Sequence, residues 1–291
     1  MTAFSDAEAW FEVVDPGPLT TFQDFGRPGL AHLGVPPSGA LDRPSAALAN
    51  RLAGTAESAA VLETTLSGPI LRLGGRRPGT PTVVVVTGAE AGVLVDDAPA
   101  ELNTALALDP GQTIRVGVAR RGIRNYVAVH GGFLAAEVLG SCSTDLLSGL
   151  GPPALRARDR LAVGGQTGLP PAPLDVVPLA TINPDPTLEL VPGPRDDWFP
   201  AATLEMLSGT QWMVSPQSNR VALRLQGPVL ASLDRGELRP EGLVTGSLQV
   251  PPDGQPVLFL NDHPTTGGYP VLGVVTTASL ALAAQAAPGT T

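Results

Sequence analysis

A chain of 291 residues with 43% hydrophobic content is long enough for a large core, in one domain or two. Its 18 basic and 27 acidic residues give a net charge of −9, which disfavours a nucleic-acid backbone or an anionic membrane as partner. Every basic residue is Arg and Cys142 is the single cysteine, so a Schiff-base lysine, a Walker A lysine and an internal disulfide are excluded, and a thiolate zinc site is disfavoured.

The opening residues lack a basic and then apolar signal pattern, and no stretch reaches the roughly 18 apolar residues that span a bilayer. The cytoplasm is the expected location. With aromatics at 4%, the core must rest on Val, Leu, Ile and Ala.

In chain order, 11–22 reads as strand, Pro-Gly turn, strand. Residues 23–43 are broken by Gly and Pro, and a loop of that length is often functional. Residues 42–53 read as a helix capped by Asp42, with Pro44 in its first turn and an apolar face of Ala46, Leu48, Ala49 and Leu52. Glu57 to Glu63 reads as an extension of it or a short further turn. From 68 to 130 the pattern is β. Residues 82–86 are a buried-strand run, a hairpin turns at Asp96-Asp97, and two more strands follow. A turn and a short strand occupy 149–165.

Residues 166–186 carry six prolines and read as a connection between an N-terminal β-rich lobe at 11–165 and a C-terminal lobe at 187–291. In the second lobe a strand starts at Leu188, and a short helix ends at Gly209. Asn219–Gly227 alternates as a strand, and 244–262 reads as strand, Pro-Asp-Gly turn, strand. Thr265–Pro270 reads as a glycine turn, and a short apolar helix closes the chain. The fold class is mainly β with a few short helices, in two lobes.

Several stretches carry a resemblance together. Leu19-Thr-Thr-Phe-Gln-Asp-Phe-Gly-Arg-Pro-Gly is followed by Gly34-Val-Pro-Pro-Ser-Gly-Ala-Leu-Asp-Arg and Ala49-Asn-Arg-Leu. Val61-Leu-Glu, Gly122-Ile-Arg-Asn-Tyr and Leu139-Gly-Ser-Cys-Ser-Thr-Asp come next. Pro192-Gly-Pro, Ser218-Asn-Arg, Leu225-Gln-Gly-Pro, Gly246-Ser-Leu-Gln-Val-Pro-Pro-Asp-Gly and Thr265-Thr-Gly-Gly-Tyr-Pro complete the series. In number and order they resemble the family of the C component of bacterial 5-oxoprolinase. It is also known as the allophanate hydrolase subunit 2 or biotin-dependent carboxyltransferase family and includes antagonists of a kinase inhibitor. The resemblance runs from about residue 13 to 289. It departs at Asn261-Asp262-His263-Pro264, where an acidic residue, Arg and Gln are common, and at Asn219, Val221 and Ala222.

The resemblance implies cyclophilin-like β-barrels and a multi-subunit enzyme. Three activities come with it. The first is ATP-dependent opening of 5-oxo-L-proline to L-glutamate with the A-type and B-type 5-oxoprolinase components as partners, ATP (with Mg) being held by the assembled complex. The second is carboxyl transfer from carboxybiotin to urea or a related amide. The third is binding of a kinase inhibitor that resembles the B-type component. The chain has no biotin-attachment Met-Lys-Met, so biotin enters only under the second reading.

Lactam opening needs cations for phosphate charge, a carboxylate for water or a proton, and N–H donors. Gln23, Asp24 and Arg27 offer an amide, a carboxylate and a guanidinium within five positions; a loop-fixing Asp–Arg pair is the alternative. Asp42 joins them as a catalytic candidate or stands as a plain helix cap. Asn50, Gln249, Asp253 and Thr265-Thr266-Gly267-Gly268-Tyr269 are candidates for binding substrate, the last as an anion nest or as an ordinary turn. Arg220 and Arg224 lie four apart and so share a strand face, ready for a carboxylate or for surface acids. Arg124 and Tyr126 point into a barrel or to solvent. His32, His130 and His263 show no metal spacing, and Cys142 reads as a small buried side chain.

Overall fold

The computed structural model describes residues 9–75, 81–165, 177 and 181–291. The chain divides into two compact units. One gathers Met1–Gly26, Asp42–Thr144 and Gly149–Ile182; the other gathers Arg27–Leu41, Asp145–Ser148 and Asn183–Thr291. The segments are interleaved in sequence, so the loop at 27–41 belongs with the C-terminal residues. Most of the proline-rich stretch at 166–186 lies outside the described residues.

The first unit is built on one sheet. Strands Leu19–Gln23, Val61–Thr65, Thr113–Val129, Ile70–Gly74, Ala9–Asp15, Arg160–Val163 and Phe133–Leu134 lie side by side in that order. Strand Thr82–Val95 branches from it by pairing with Thr113–Val129 from Val84↔Val129 to Val95↔Ile114. The register slips between Gly88 and Val93. At Gly88 (φ 100) a Cβ would sit 2.4 Å from the Arg124 carbonyl oxygen, so only glycine lets the two backbones approach there. Val84, Val85 and Val86 are fully buried, as their apolar run requires. Each such side chain contributes roughly 1.5–3 kcal/mol on leaving water. The core adds Phe11, Leu62, Leu71, Leu73, Leu108 and Ile114.

Helix α1 (Arg43–Leu52) lies against this unit's strands. Asp42 caps it by accepting from the Ser45 amide at 3.1 Å, and Pro44 sits in its first turn. Helix does not continue to Glu63. A turn ends near Ala60, and Val61–Thr65 forms a strand because Leu62 and Glu63 find partners in Val127 and Tyr126. The Asp96-Asp97 hairpin is present, with both residues left-handed at φ 47 and φ 67.

The second unit carries a sheet ordered Leu190–Pro192, Val271–Val275, Ser247–Gln249, Val257–Phe259, Ala222–Gln226 and Met213–Val214. Leu248 faces Leu258 across the Pro251–Gly254 turn, and Leu223, Leu260 and Val275 fill the core around them. Helix α2 (Ala201–Gly209) and helix α3 (Thr277–Ala284) belong to this unit; Thr276 caps α3 through the Ser279 amide. Thr265–Pro270 is not a glycine turn. Thr266–Gly267 pairs with Glu241–Gly242 as a short strand, and neither Gly267 nor Gly268 takes a positive φ. Among the described residues the chain is mostly strand with three α-helices, as its sequence pattern and the resemblance led us to expect. None of those helices is long and apolar enough to cross a membrane.

Candidate functional site

In the first unit Asp24 is the hub of the loop that follows Leu19–Gln23. Its Oδ1 accepts from the Ser141 hydroxyl at 2.6 Å, the Ser143 hydroxyl at 2.6 Å and the Gly26 amide at 2.7 Å. Its Oδ2 accepts from the Cys142 amide at 2.7 Å. Two motifs, Gln23-Asp-Phe-Gly and Gly140-Ser-Cys-Ser, are thereby one structure. The donors are neutral, so the carboxylate's charge is met by dipoles and not by a cation. Beside Asp24, the fully buried Gln23 donates to the Thr21 hydroxyl and the Thr144 carbonyl, each at 3.0 Å, while its Oε1 has no partner among the described residues. Cys142 is half-buried.

A second network in this unit links the start of α1 to the sheet. The Tyr126 hydroxyl donates to Glu63 Oε2 at 2.9 Å and accepts from the Asp42 amide at 2.7 Å. The Arg124 guanidinium stands 3.7 Å from Glu63 Oε1, and both side chains are buried. Burial first, then the charges of Glu63 and Asp42, push the Tyr126 phenol well above its ordinary range. Asn50, on the inner face of α1, donates to the carbonyls of Glu57 at 3.0 Å and Ala59 at 2.8 Å, pinning the turn after the helix.

In the second unit the main polar node joins three separate stretches of chain. Arg220 holds Asp262 through two parallel bonds, Nε to Oδ2 at 3.0 Å and Nη2 to Oδ1 at 3.1 Å. Both side chains are buried. The Leu146 amide also donates to Asp262, and Arg220 Nη2 reaches the Gly39 carbonyl at 2.8 Å. Asn261 adds bonds to the carbonyls of Gly39 at 3.2 Å and Ala40 at 3.1 Å, and the Ser38 amide donates back to the Asn261 carbonyl at 3.0 Å. The Arg27 amide donates to the Pro37 carbonyl at 2.7 Å, closing the neck of the 27–41 loop, and the Arg27 side chain is buried. His263 follows directly. Burial lowers its pKa against the opposing pull of the Pro264 carbonyl, Asp262 and Asp145, so its ring is neutral at pH 7. Its Nδ1 lies 2.7 Å from the Pro264 carbonyl and therefore carries the proton, leaving Nε2 as the basic nitrogen.

Gln249, also buried, donates to the Tyr269 carbonyl at 2.8 Å. A Cβ at Gly267 would sit 2.6 Å from its Nε2, so a larger residue there would make the Gln249 side chain shift. Thr265 is half-buried; Thr266, Gly268 and Tyr269 are exposed. Asp253 is exposed and accepts from the Gln255 amide within its own turn. Arg220 and Arg224 do not share an environment. The strand starts at Ala222, so the buried Arg220 precedes it, while Arg224 is exposed. Arg124 and Tyr126 both point inward. An apolar cavity of ≈ 720 Å³, walled by Leu188, Leu204, Leu207, Trp212, Leu225 and Leu272, also opens in this unit; none of the catalytic or substrate-binding candidates lines it.

Sequence reading left out Glu63, Ser38 and His263 as site candidates. Glu63 lies in a stretch that reads as a helix extension or a short turn, and Ser38 in a loop with no periodic signal. His263 shows no metal spacing and stands out in the sequence only within the Asn261–Pro264 departure. Among the described residues no group of three or more His, Cys, Asp or Glu is placed to hold a metal ion.

Comparison with known proteins agrees with this architecture. The family described as the carboxyltransferase domain, subdomain A and B, matches residues 33–291. The C component of Escherichia coli 5-oxoprolinase is 34% identical over 277 residues, covering 94% of this chain and 87% of that protein. The crystal structure of K. lactis urea amidolyase superimposes with a TM-score of 0.88 at 30% identity, over 99% of this chain but 19% of that one. That of TTHA0988 gives 0.86 at 32% identity, over 97% of this chain and 54% of that one. The chain thus spans about half of TTHA0988 and about a fifth of the amidolyase. With a family match across most of its length, and a relative matched nearly end to end, this chain belongs to the carboxyltransferase subdomain A and B family that includes the C component of 5-oxoprolinase.

Proposed function

We propose that this chain is the C component of a cytoplasmic, ATP-dependent 5-oxoprolinase, active only with A-type and B-type partner components. The observation that carries this reading is the match to the E. coli 5-oxoprolinase C component, at 34% identity over 94% of this chain. ATP, with Mg, would belong to the assembled complex and supply the phosphoryl group that turns the lactam oxygen into a leaving group. This chain's own part would be to bind and orient the lactam. In the second unit, Arg27 and the segment Thr265–Tyr269 are the candidates for the substrate carboxylate, Gln249 for its amide, and His263 Nε2 for a proton. Asp24, Asp42 and Asn50 would hold the loops in place.

The experiment is glutamate formation from 5-oxoproline and ATP by this chain mixed with its two partner proteins, omitting each in turn. Product only in the full mixture supports the reading. No product from a mixture that forms a stable complex overturns it. Carboxyl transfer to urea or a related amide is the second reading, and the likeness to urea amidolyase favours it. A biotin carboxylase that co-purifies, with bicarbonate-dependent turnover of urea, would select it.

A further inference from the structure

In the second unit, Ser38 combines three features that a plain turn residue does not. It is a non-glycine residue held in the left-handed region at φ 51. Its side chain is 3% exposed, and its hydroxyl has no hydrogen-bond partner among the described residues. It is also braced from both sides. The Asn261 carbonyl accepts its amide, Arg220 Nη2 and Asn261 Nδ2 clamp the carbonyl of Gly39, and the Arg27–Pro37 backbone bond closes the neck one residue before it. A left-handed serine costs conformational energy, and a buried hydroxyl without a partner costs more. The neighbouring polar groups are spent on each other: Arg220's charge is matched by Asp262, and Asn261's amide by two carbonyls. Beside these three side chains, the Ser38 hydroxyl is the hydrogen-bonding function left over among the described residues, and it can donate and accept.

We propose that the Ser38 hydroxyl binds the neutral amide group of a small lactam or urea-like substrate, and that Asn261, Arg220 and Asp262 are positioning residues that hold it in place. A matched ion pair behind the hydroxyl offers no net positive charge, so a neutral polar group fits better than an anion. An amide presents a carbonyl and an N–H side by side, and a hydroxyl answers either. The inference deepens the oxoprolinase reading and rests on it for the substrate's name, though not for its chemistry.

The test uses the full complex with Ser38→Gly and Ser38→Ala. Glycine adopts φ 51 without strain, so it removes the hydroxyl while keeping the loop. Loss of one hydrogen bond of about 1.4 kcal/mol is a tenfold change. A KM for 5-oxoproline raised about tenfold in both variants, with the KM for ATP and the melting temperature of Ser38→Gly unchanged, sustains the proposal. A wild-type KM in both variants overturns it, as does an effect confined to Ser38→Ala, which would mark backbone strain. If the wild-type complex makes no glutamate, the oxoprolinase reading fails. The hydroxyl is then read by saturation-transfer NMR with urea and 5-oxoproline as probes. A signal lost in Ser38→Gly sustains its role; no signal with wild type, or an equal signal in both, overturns it.

Discussion

The two units neutralise a carboxylate in opposite ways. In the first, the half-buried Asp24 collects four neutral donors from its own turn and from Ser141–Ser143. In the second, the fully buried Asp262 is held by a guanidinium and one amide. Dipoles fixed by a short loop can be lost singly, and water can replace some of them. A buried ion pair cannot lose one member without leaving a bare charge inside the protein. The first arrangement shapes a loop; the second ties together residues 38–41, 146 and 220–262.

That contrast is tested most strongly at Arg220. Arg220→Ala should destabilise the chain by about 3–5 kcal/mol, because Asp262 stays buried without its cation. The double variant Arg220→Met with Asp262→Leu should recover most of the loss, since an apolar pair of similar volume avoids both desolvation penalties. Urea unfolding midpoints read both effects. A single variant as stable as the double one would show that the pair is hydrated and that the contrast is false.

Asp24→Ala should cost less, about 1–3 kcal/mol, since it orphans two hydroxyls and two amides that water can partly reach. Proteolysis at 139–145 should quicken in this variant and not in Arg220→Ala. Equal cleavage in both would remove the distinction between a loop clamp and a core tie.

The units should also respond to opposite ends of the pH scale, more gently. Burial holds the His263 pKa below its ordinary value of 6.5. The unfolded chain then binds that proton more readily, so stability falls as pH drops through 6.5 and levels off below the folded value. Tyr126 is the reverse case. Its pKa is raised well above 10.0, so stability is complete below 10 and declines as the unfolded phenol ionises above it. Melting curves of His263→Gln should lose part of the acid slope, and those of Tyr126→Phe part of the alkaline slope. Unchanged slopes in either variant would detach that residue from its limb.

Local chemistry in the sequence foretold the parts whose causes are local. Asp42 and Pro44 announced α1, Asp96-Asp97 a hairpin, and Pro252-Asp253-Gly254 a turn. What the sequence hid depends on partners far along the chain. Glu63 is a strand residue because Tyr126 lies opposite, and Arg220 is buried because Asp262 waits 42 positions on. Asp24 is satisfied by hydroxyls 117 and 119 positions away. Thr266–Gly267 reads as a turn because glycines usually mark one; here the pair bonds across to Glu241–Gly242 as a short strand. The motifs themselves stand in the sequence, but the long-range bonds that join them, such as Asp24 to Ser141 and Ser143, do not show in it.

The smallest expected effect compares two left-handed residues. Asp97 (φ 67) and Ser38 (φ 51) have the same backbone sign for different reasons. Asp97 is the second residue of an exposed hairpin turn, where glycine is favoured and the side chain serves little; its nearest cation, Arg115, stands 3.9 Å away in solvent. Asp97→Gly should therefore stabilise the first unit by about 0.5–1 kcal/mol, with turnover unchanged. Its neighbour Asp96 should not behave alike. Its carboxylate accepts from the Thr113 amide and hydroxyl and from Gln112, and these bonds, led by the Thr113 amide, lower its pKa. Asp96→Gly should give back the conformational gain by losing those bonds. Thermal melts of the two variants decide the matter. If both stabilise, the bonds around Asp96 contribute nothing; if neither does, the hairpin carries no strain for glycine to relieve, and a left-handed φ does not by itself mark a residue held against its preference.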